Sequence, residues 1–177
     1  LPASSEGVVV HPVHRAVRQV DRLDFSECKS RLSRFFDMVP GDGVDRSQSP
    51  VIFVYGIRDP VTLIPKGETL RRLEKEVIPP HSASLSPLLV DNIILNLVLE
   101  LPRSEIARQK ILSYFHDRKA CMKAVRRGEF QMAFLVKPVS VEDLFSVTDR
   151  GGVFPQKSTY FYPKCPDGVV MHSLAVS

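Results

Sequence analysis

The chain has 177 residues, 44% of them hydrophobic, and a formal net charge of +4. This length suits a single packed domain whose core needs neither disulfides nor metals to hold it together. The longest apolar run, around Ile93-Ile94-Leu95, is flanked by Asn92 and Asn96 and falls far short of the roughly 20 residues that a membrane span requires.

The cysteines and the first residues bear on the compartment. Cys28, Cys121 and Cys165 are an odd number without paired spacing, which favours reduced thiols in the cytoplasm over a disulfide framework. Residues 1–10 contain neither the basic nor the apolar segment of a secretory signal, so we interpret them as a linker or a cut end. The domain then covers residues 11–177, with a soft boundary at residues 66–86.

The first predicted elements are an extended segment over residues 8–20 and a helix over residues 24–38. Asp24 and Glu27 have the spacing of a capping box, in which each side chain bonds a free backbone N–H of the first turn. The apolar residues that follow at helical spacing are Phe25, Cys28, Leu32, Phe35 and Phe36. Pro40 and Gly41 end this pattern.

The middle of the chain predicts a hairpin, a connection and a buried helix. Residues 51–55 and 61–64 are rich in strand-forming side chains and are separated by a short turn. Residues 66–86 are charged and then rich in proline and serine, so we expect a mobile connection with a helical turn near residues 70–75. Ser86-Pro87 opens a helix to about residue 100, which is apolar on nearly every side and therefore expected in the core.

Strands and helices alternate after residue 110. We predict strands at 111–115, 131–136, 158–162 and 169–174, and helices at 117–127 and 140–149, with Gly128 as a C-terminal cap. The fold class is therefore α+β, a mixed β-sheet with packed helices.

Metal and nucleotide motifs do not stand out. His11 and His14 have no cysteine or carboxylate at ligand spacing, so ordinary surface or hydrogen-bonded histidines are the favoured interpretation, and no metal site is expected. His81, His116 and His172 are scattered and receive no role. Gly41-Asp-Gly43 precedes a polar loop rather than a helix, which rules out a phosphate-binding glycine loop there.

The segment from Phe154 to Lys164 is the most unusual part of the sequence. It places Lys157, Ser158, Thr159 and Lys164 within a few residues of one another. Ammonium and hydroxyl groups both donate hydrogen bonds to anionic oxygens, so the segment fits a phosphate site. A β-strand whose lysines merely reach solvent fits the same residues.

Two strings of the sequence resemble a known family. His11-Pro-Val-His-Arg15 is similar to the "LP-T-HR-V" segment of the bacterial and archaeal family called domain of unknown function 1015, and residues 155–164, PQKSTYFYPK, are similar to its C-terminal signature. The residues Ala133-Phe-Leu, Pro138 and Val141-Glu fall where that family has its "AFLL-P—VE" run. The ordered resemblance covers residues 10–174.

The chain also departs from that family. Phe154 stands where the family usually has methionine, and Cys165-Pro-Asp where it often has Leu-Leu-Ser. The family's "DGHHR" motif, which precedes the matched region, is missing. That motif is similar to one in ParB-like proteins, some of which are nucleotide-dependent free-serine kinases. The resemblance therefore implies that the chain is the C-terminal half of a longer cytoplasmic protein connected with serine metabolism. It also implies that the N-terminal half is the partner of this chain and carries the catalytic motif.

Two hypotheses of function follow. In the first, the chain is half of a metabolic enzyme and is inactive by itself. It binds a phosphorylated or carboxylate metabolite, or a nucleotide, at the edge of a cleft, and no cofactor is specified. The ligand-binding residues would be Lys157, Ser158, Thr159 and Lys164, with His14 and Arg15. In the second, the chain is a non-enzymatic regulatory or nucleic-acid-binding module. Its arginines are dispersed among acidic residues instead of forming one basic run, which disfavours nucleic acid.

Overall fold

The computed structural model describes residues 9–18, 20, 23–42, 51–75, 80–102, 104, 106 and 111–164. In these ranges six strands form the main sheet, in the order β3-β5-β4-β7-β2-β6, and β1 pairs with β8 in a small second sheet; these pairings are antiparallel. The strands are β1 Val9–His11, β2 His14–Val17, β3 Phe36–Pro40, β4 Val51–Tyr55, β5 Val61–Pro65, β6 Leu112–Phe115, β7 Met132–Leu135 and β8 Tyr160–Tyr162.

Helices pack on this sheet, which confirms the predicted α+β class. They are α1 Phe25–Ser33, α2 Gly67–Leu73, a 3-10 helix Pro80–Ser84, the turn α3 Ser86–Leu88 with a π-helix Leu89–Val98 directly after it, α4 Arg118–Arg126 and α5 Val141–Thr148. Three of them begin with a side-chain cap. Asp24 accepts from the backbone N–H of Glu27 at 2.8 Å, Asp117 from that of Ala120 at 2.6 Å, and Ser140 from that of Asp143 at 3.0 Å.

Helix α1 is shorter than its apolar pattern predicts. It ends at Ser33, and the residues from Phe36 onward form β3 instead of a last helical turn. The carbonyl of Phe35 accepts hydrogen bonds from the backbone N–H of Lys66 at 3.0 Å and from the hydroxyl of Thr69 at 2.7 Å. Pairing with β5 and with the start of α2 therefore overrides the local helical preference.

Alternation along the strands gives the main sheet two apolar faces. Val17, Phe53 and Phe134 belong to the core on one face, which also contains residues 86–98. Their neighbours in sequence belong to the core beneath α4 on the other face; these are Ala16, Val54 and Ala133. Successive strand residues point to opposite sides of a sheet, and the small residues on the second face let α4 approach closely.

The helical segment at residues 86–98 is buried centrally, as its composition predicts. Leu95 and Val98 are fully buried, and the chain leaves the π-helix through a hydrogen bond from Leu99 N–H to the Ile94 carbonyl at 2.8 Å. Asp91 is its charged residue, and its carboxylate pairs with Arg15 of β2. No helix in the described ranges is long and apolar enough to cross a bilayer.

The connection predicted at residues 66–86 contains more helix than one turn. Helix α2 and the 3-10 helix Pro80–Ser84 both lie in it, and Leu73 of α2 is fully buried in the core on the side of residues 86–98. Burial of Leu73 favours helix over residues 67–73 despite their charge. The strand predicted at residues 169–174 lies outside the described residues.

Two isoleucines allow a matched test of this core. We expect Ile94→Ala to lower the free energy of unfolding by about 2–5 kcal/mol, because Ile94 is fully buried and its truncation leaves a cavity. The same change at Ile57, which is 85% exposed in the turn after β4, should cost no more than about 0.5 kcal/mol. Urea unfolding followed by circular dichroism measures both; equal costs would contradict the packing described.

Candidate functional site

The small sheet joins the two ends of the described chain. β1 runs antiparallel to β8, with His11 opposite Tyr160 and Val9 opposite Tyr162. After β1 the chain passes through Pro12 and Val13 into β2 of the main sheet. The two sequence strings that carry the family resemblance are thus brought into direct contact.

A cleft of about 850 Å³ opens beside this small sheet, and we call it the lysine cleft. Val13 and the end of β6 form one wall, and the segment around β8 forms the other. The residues that line it are Val13, Ser113, Tyr114, His116, Lys157, Thr159, Tyr160, Phe161, Pro163 and Lys164. No carboxylate is among these described lining residues, so its fixed charge is positive.

Tyr160 contacts both His116 and Lys164 in the lysine cleft. Its ring centroid lies 3.9 Å from that of His116 with the planes tilted by 34°, and the Nζ atom of Lys164 lies 4.8 Å from the Tyr160 centroid. The face of an aromatic ring attracts a cation within about 6 Å. Tyr160 therefore helps to hold Lys164 on the side of the cleft where His116 lies.

The charge of the cleft acts on His116. Burial, and then the positive charges of Lys164, His11 and Lys157, lower the pKa of this imidazole below its ordinary value. These three charges all act on His116 with the same sign. An anion that entered the cleft would reduce this repulsion and raise the pKa of His116 again.

The turn before β8 sets the position of Lys157. Its backbone has a φ of 59°, in the left-handed region that residues other than glycine seldom adopt. The hydroxyl of Ser158 donates to the Pro155 carbonyl at 2.7 Å and closes this turn, and Ser158 is buried. Ser158 therefore shapes the turn, whereas exposed Lys157 carries its charge to the cleft.

Arg15 is fully buried behind the lysine cleft. Its Nη1 donates to the Val13 carbonyl at 2.6 Å and its Nη2 to Asp91 Oδ2 at 2.7 Å. Burial raises the pKa of Asp91, and the nearby Arg15 opposes that rise. Val13 and Tyr114, the cross-strand neighbour of Arg15, both line the cleft. The guanidinium thus supports the wall of the cleft from inside the core.

His14 lines a different cleft of about 430 Å³, which we call the His14 cleft. Its Nδ1 accepts a hydrogen bond from the Val136 N–H at 3.2 Å. Burial, and then the charges of Arg118 and Arg15, lower the pKa of His14 to about 4. This imidazole is therefore neutral near pH 7. The lining residues are Pro12, His14, Asp42, Ile52, Thr62, Arg118, Leu135, Val136, Lys137 and Pro138.

The six residues selected from the sequence are therefore divided among three surroundings. Lys157, Thr159 and Lys164 line one cleft, His14 lines another, and Arg15 and Ser158 are held by hydrogen bonds inside the fold. His116 was missed because no sequence signal relates the end of β6 to β8. The pairing of β2 with β6, together with the pairing of β1 with β8, brings them together.

The cysteines and metal-type side chains offer no further centre in the described ranges. Cys28 and Cys121 are buried free thiols, and burial raises the pKa of each to about 12, so they are unreactive. Cys121 lies in the core beneath α4. No three His, Cys, Asp or Glu side chains in the described residues are placed to hold a metal.

Comparison with known proteins finds likeness at the level of fold. No family model and no curated protein matches the chain. A conserved hypothetical protein from Pyrococcus furiosus has a TM-score of 0.54 and 16% identity, over 91% of this chain and 59% of that one. A free serine kinase in complex with AMP has a TM-score of 0.54 and 17% identity, over 91% and 56%. A mutant free serine kinase in complex with ADP has a TM-score of 0.53 and 18% identity, over 91% and 56%. The chain thus spans 56–59% of the length of these structures.

The pKa of His116 reports the electrostatic effect of the lysines in the lysine cleft. We expect Lys164→Met to raise the pKa of His116, because one of the positive charges that lower it is removed. A pH titration of the His116 Cε1–H resonance at low ionic strength measures the change. Lys29→Met on α1, an exposed lysine outside the cleft lining, is the control and should leave the pKa unchanged. A His116 pKa that is unchanged or lower in Lys164→Met would contradict the described electrostatics.

The buried ion pair predicts a non-additive pair of mutations. Arg15→Met should cost about 3–5 kcal/mol of stability, because it leaves the Asp91 carboxylate without its buried partner. In the double variant Arg15→Met/Asp91→Leu, most of that loss should be recovered. Arg126→Met, at an exposed position, should change stability little. Thermal and urea unfolding measure all of these; a loss below about 1 kcal/mol in Arg15→Met would rule out the pair as a buried contact.

Proposed function

We propose that the chain binds a phosphorylated small molecule, a nucleotide in the first place, through the lysine cleft. The observation that carries the proposal is a concave site whose described lining has Lys157, Thr159, Lys164 and His116 and no carboxylate. Cationic groups gathered in a cleft are costly without an anion, because they repel one another.

The cleft residues have complementary roles in this proposal. Lys157 and Lys164 act as point charges on phosphate oxygens, and the hydroxyl of Thr159 adds a neutral donor. The turn closed by Ser158 holds Lys157, and the Tyr160 ring holds Lys164, so less side-chain freedom is lost when an anion binds. A neutral His116 donates one further hydrogen bond, and a bound anion would raise its pKa and so favour the protonated form.

We further propose that the chain is the C-terminal part of a cytoplasmic, kinase-like enzyme of the domain of unknown function 1015 family. The antiparallel pairing of His11 with Tyr160 supports this, since it joins the two strings that resemble that family. Free serine kinases in complex with AMP and ADP share the fold. The buried free thiols of Cys28 and Cys121 are typical of a reducing compartment. This chain would hold the phosphorylated ligand, and residues outside it would complete the chemistry.

Calorimetric titration with AMP, ADP and inorganic phosphate tests the site. We expect measurable binding of AMP and ADP and none of adenosine, because the phosphate supplies the recognised charge. Lys157→Ala and Lys164→Ala should each weaken nucleotide binding about 10- to 100-fold, which corresponds to about 1.5–3 kcal/mol for a charged hydrogen bond.

Two controls make the titration decisive. Lys29→Ala removes the same charge from α1 and should leave the affinity unchanged. Binding should weaken only gradually with salt, whereas a duplex DNA held by many phosphate contacts would show a steep salt dependence. Full nucleotide affinity in the Lys157→Ala/Lys164→Ala variant, with an intact fold, would refute the proposed site.

A further inference from the structure

The His14 cleft has an apolar floor made by one row of the main sheet. Ile52 of β4 is opposite Thr62 of β5 on one side and Leu135 of β7 on the other. His14 continues the row on β2. Arg15 is opposite Phe134 in this antiparallel pair, so the preceding residue His14 lies beside Leu135. Helix α4 packs on this face against β4, β7, β2 and β6. Residues of this row line the cleft together with Arg118, the first residue of α4.

Two oppositely charged side chains meet at the mouth of this cleft. Arg118, the first residue of α4, forms an ion pair through Nη2 with Asp42, which follows β3. Both side chains line the cleft and both are partly exposed. The guanidinium has five N–H donors in a planar fork, so one contact with Asp42 leaves further donors on Arg118.

Inside the cleft the polar groups are already arranged. Thr62 donates its hydroxyl to the Gly41 carbonyl at 2.7 Å. His14 uses Nδ1 to accept from Val136, so its neutral ring has its proton on Nε2 and is a hydrogen-bond donor. The remaining lining consists of the apolar residues Pro12, Val136 and Pro138, together with Lys137. The cleft thus combines a mostly apolar body with donors at Arg118 and His14.

We propose that the His14 cleft is a second binding site, for a small carboxylic acid with an aliphatic body. The carboxylate would meet the guanidinium fork of Arg118, whose planar donors match a carboxylate in a bidentate contact. The aliphatic body would lie over Ile52 and Leu135. A cleft of about 430 Å³ is in the range of small-molecule sites.

Asp42 is the built-in competitor of such a ligand. Its carboxylate already takes Nη2 of the guanidinium that the ligand requires, and its negative charge repels a second carboxylate placed on the remaining donors. Removing the charge of Asp42 should therefore strengthen binding, whereas removing Arg118 should weaken it. These opposite signs distinguish a ligand site from a contact that only stabilises the fold.

This site is separate from the lysine cleft. Pro12 and Arg118 line the His14 cleft, whereas their near neighbours Val13 and His116 line the lysine cleft. The described lining residues of the two clefts do not overlap. The second site would therefore remain if nucleotide binding at the lysine cleft failed, and the converse also holds.

NMR titration with 4-methylpentanoate, and with 4-methylpentanamide as its uncharged analogue, tests the proposal. We expect saturable shifts of the Ile52 and Leu135 methyl resonances with the carboxylate, and at least about tenfold weaker binding of the amide. Arg118→Met should weaken carboxylate binding by about tenfold or more, and Asp42→Asn should strengthen it several-fold. Arg126→Met, at the exposed far end of α4, is the control and should leave the affinity unchanged.

Three outcomes would overturn the proposal. One is the absence of saturable methyl shifts at Ile52 and Leu135 up to the solubility limit of the carboxylate. Another is equal affinity for the acid and the amide, which would mean that Arg118 does not bind the carboxylate of the ligand. The third is weaker binding in Asp42→Asn, which would make Asp42 a support of the cleft and not a competitor.

Discussion

The ion pair between the fully buried Arg15 and the partly buried Asp91 links the main sheet to the central helical segment at residues 86–98. Burying two charges is costly, so such a pair adds little net stability over well-packed apolar residues. It does require a particular relative placement of β2 and the π-helix, because either charge alone in the core is strongly unfavourable. The second donor of Arg15 fixes the Val13 carbonyl, just where the chain passes from the small sheet to the main one.

Both clefts lie beside that fixed junction. At the start of β2, Pro12 lines the His14 cleft and Val13 lines the lysine cleft. Between β6 and α4, Arg118 lines the His14 cleft and His116 lines the lysine cleft. The lysine cleft gathers cations without described carboxylates, whereas the His14 cleft is mostly apolar with one ion pair at its mouth. Two clefts of different chemical character thus lie beside one junction of the chain.

Local signals in the sequence predict much of this molecule, and non-local contacts account for the rest. The caps at Asp24 and Ser140 and the hairpin of β4 and β5 depend on neighbouring residues, so they are readable from sequence. The end of α1 is not, because the partners of the Phe35 carbonyl come from the segment that follows β5.

The same distinction applies to the candidate sites. Lys157, Thr159 and Lys164 are close in sequence and line one cleft, so their shared location could be anticipated. Arg15 was expected near a ligand, but its carboxylate partner lies 76 residues away and no local pattern reveals it. The contact of His116 with Tyr160 likewise depends on strand pairing.

A crystal structure of the chain with bound AMP tests the central claim most directly, because it locates the phosphate without reference to activity. The account predicts phosphate oxygens within about 2.7–3.2 Å of Lys157 Nζ or Lys164 Nζ, inside the cleft between β6 and β8. An AMP molecule bound elsewhere on the protein, with its phosphate touching neither lysine, would contradict it.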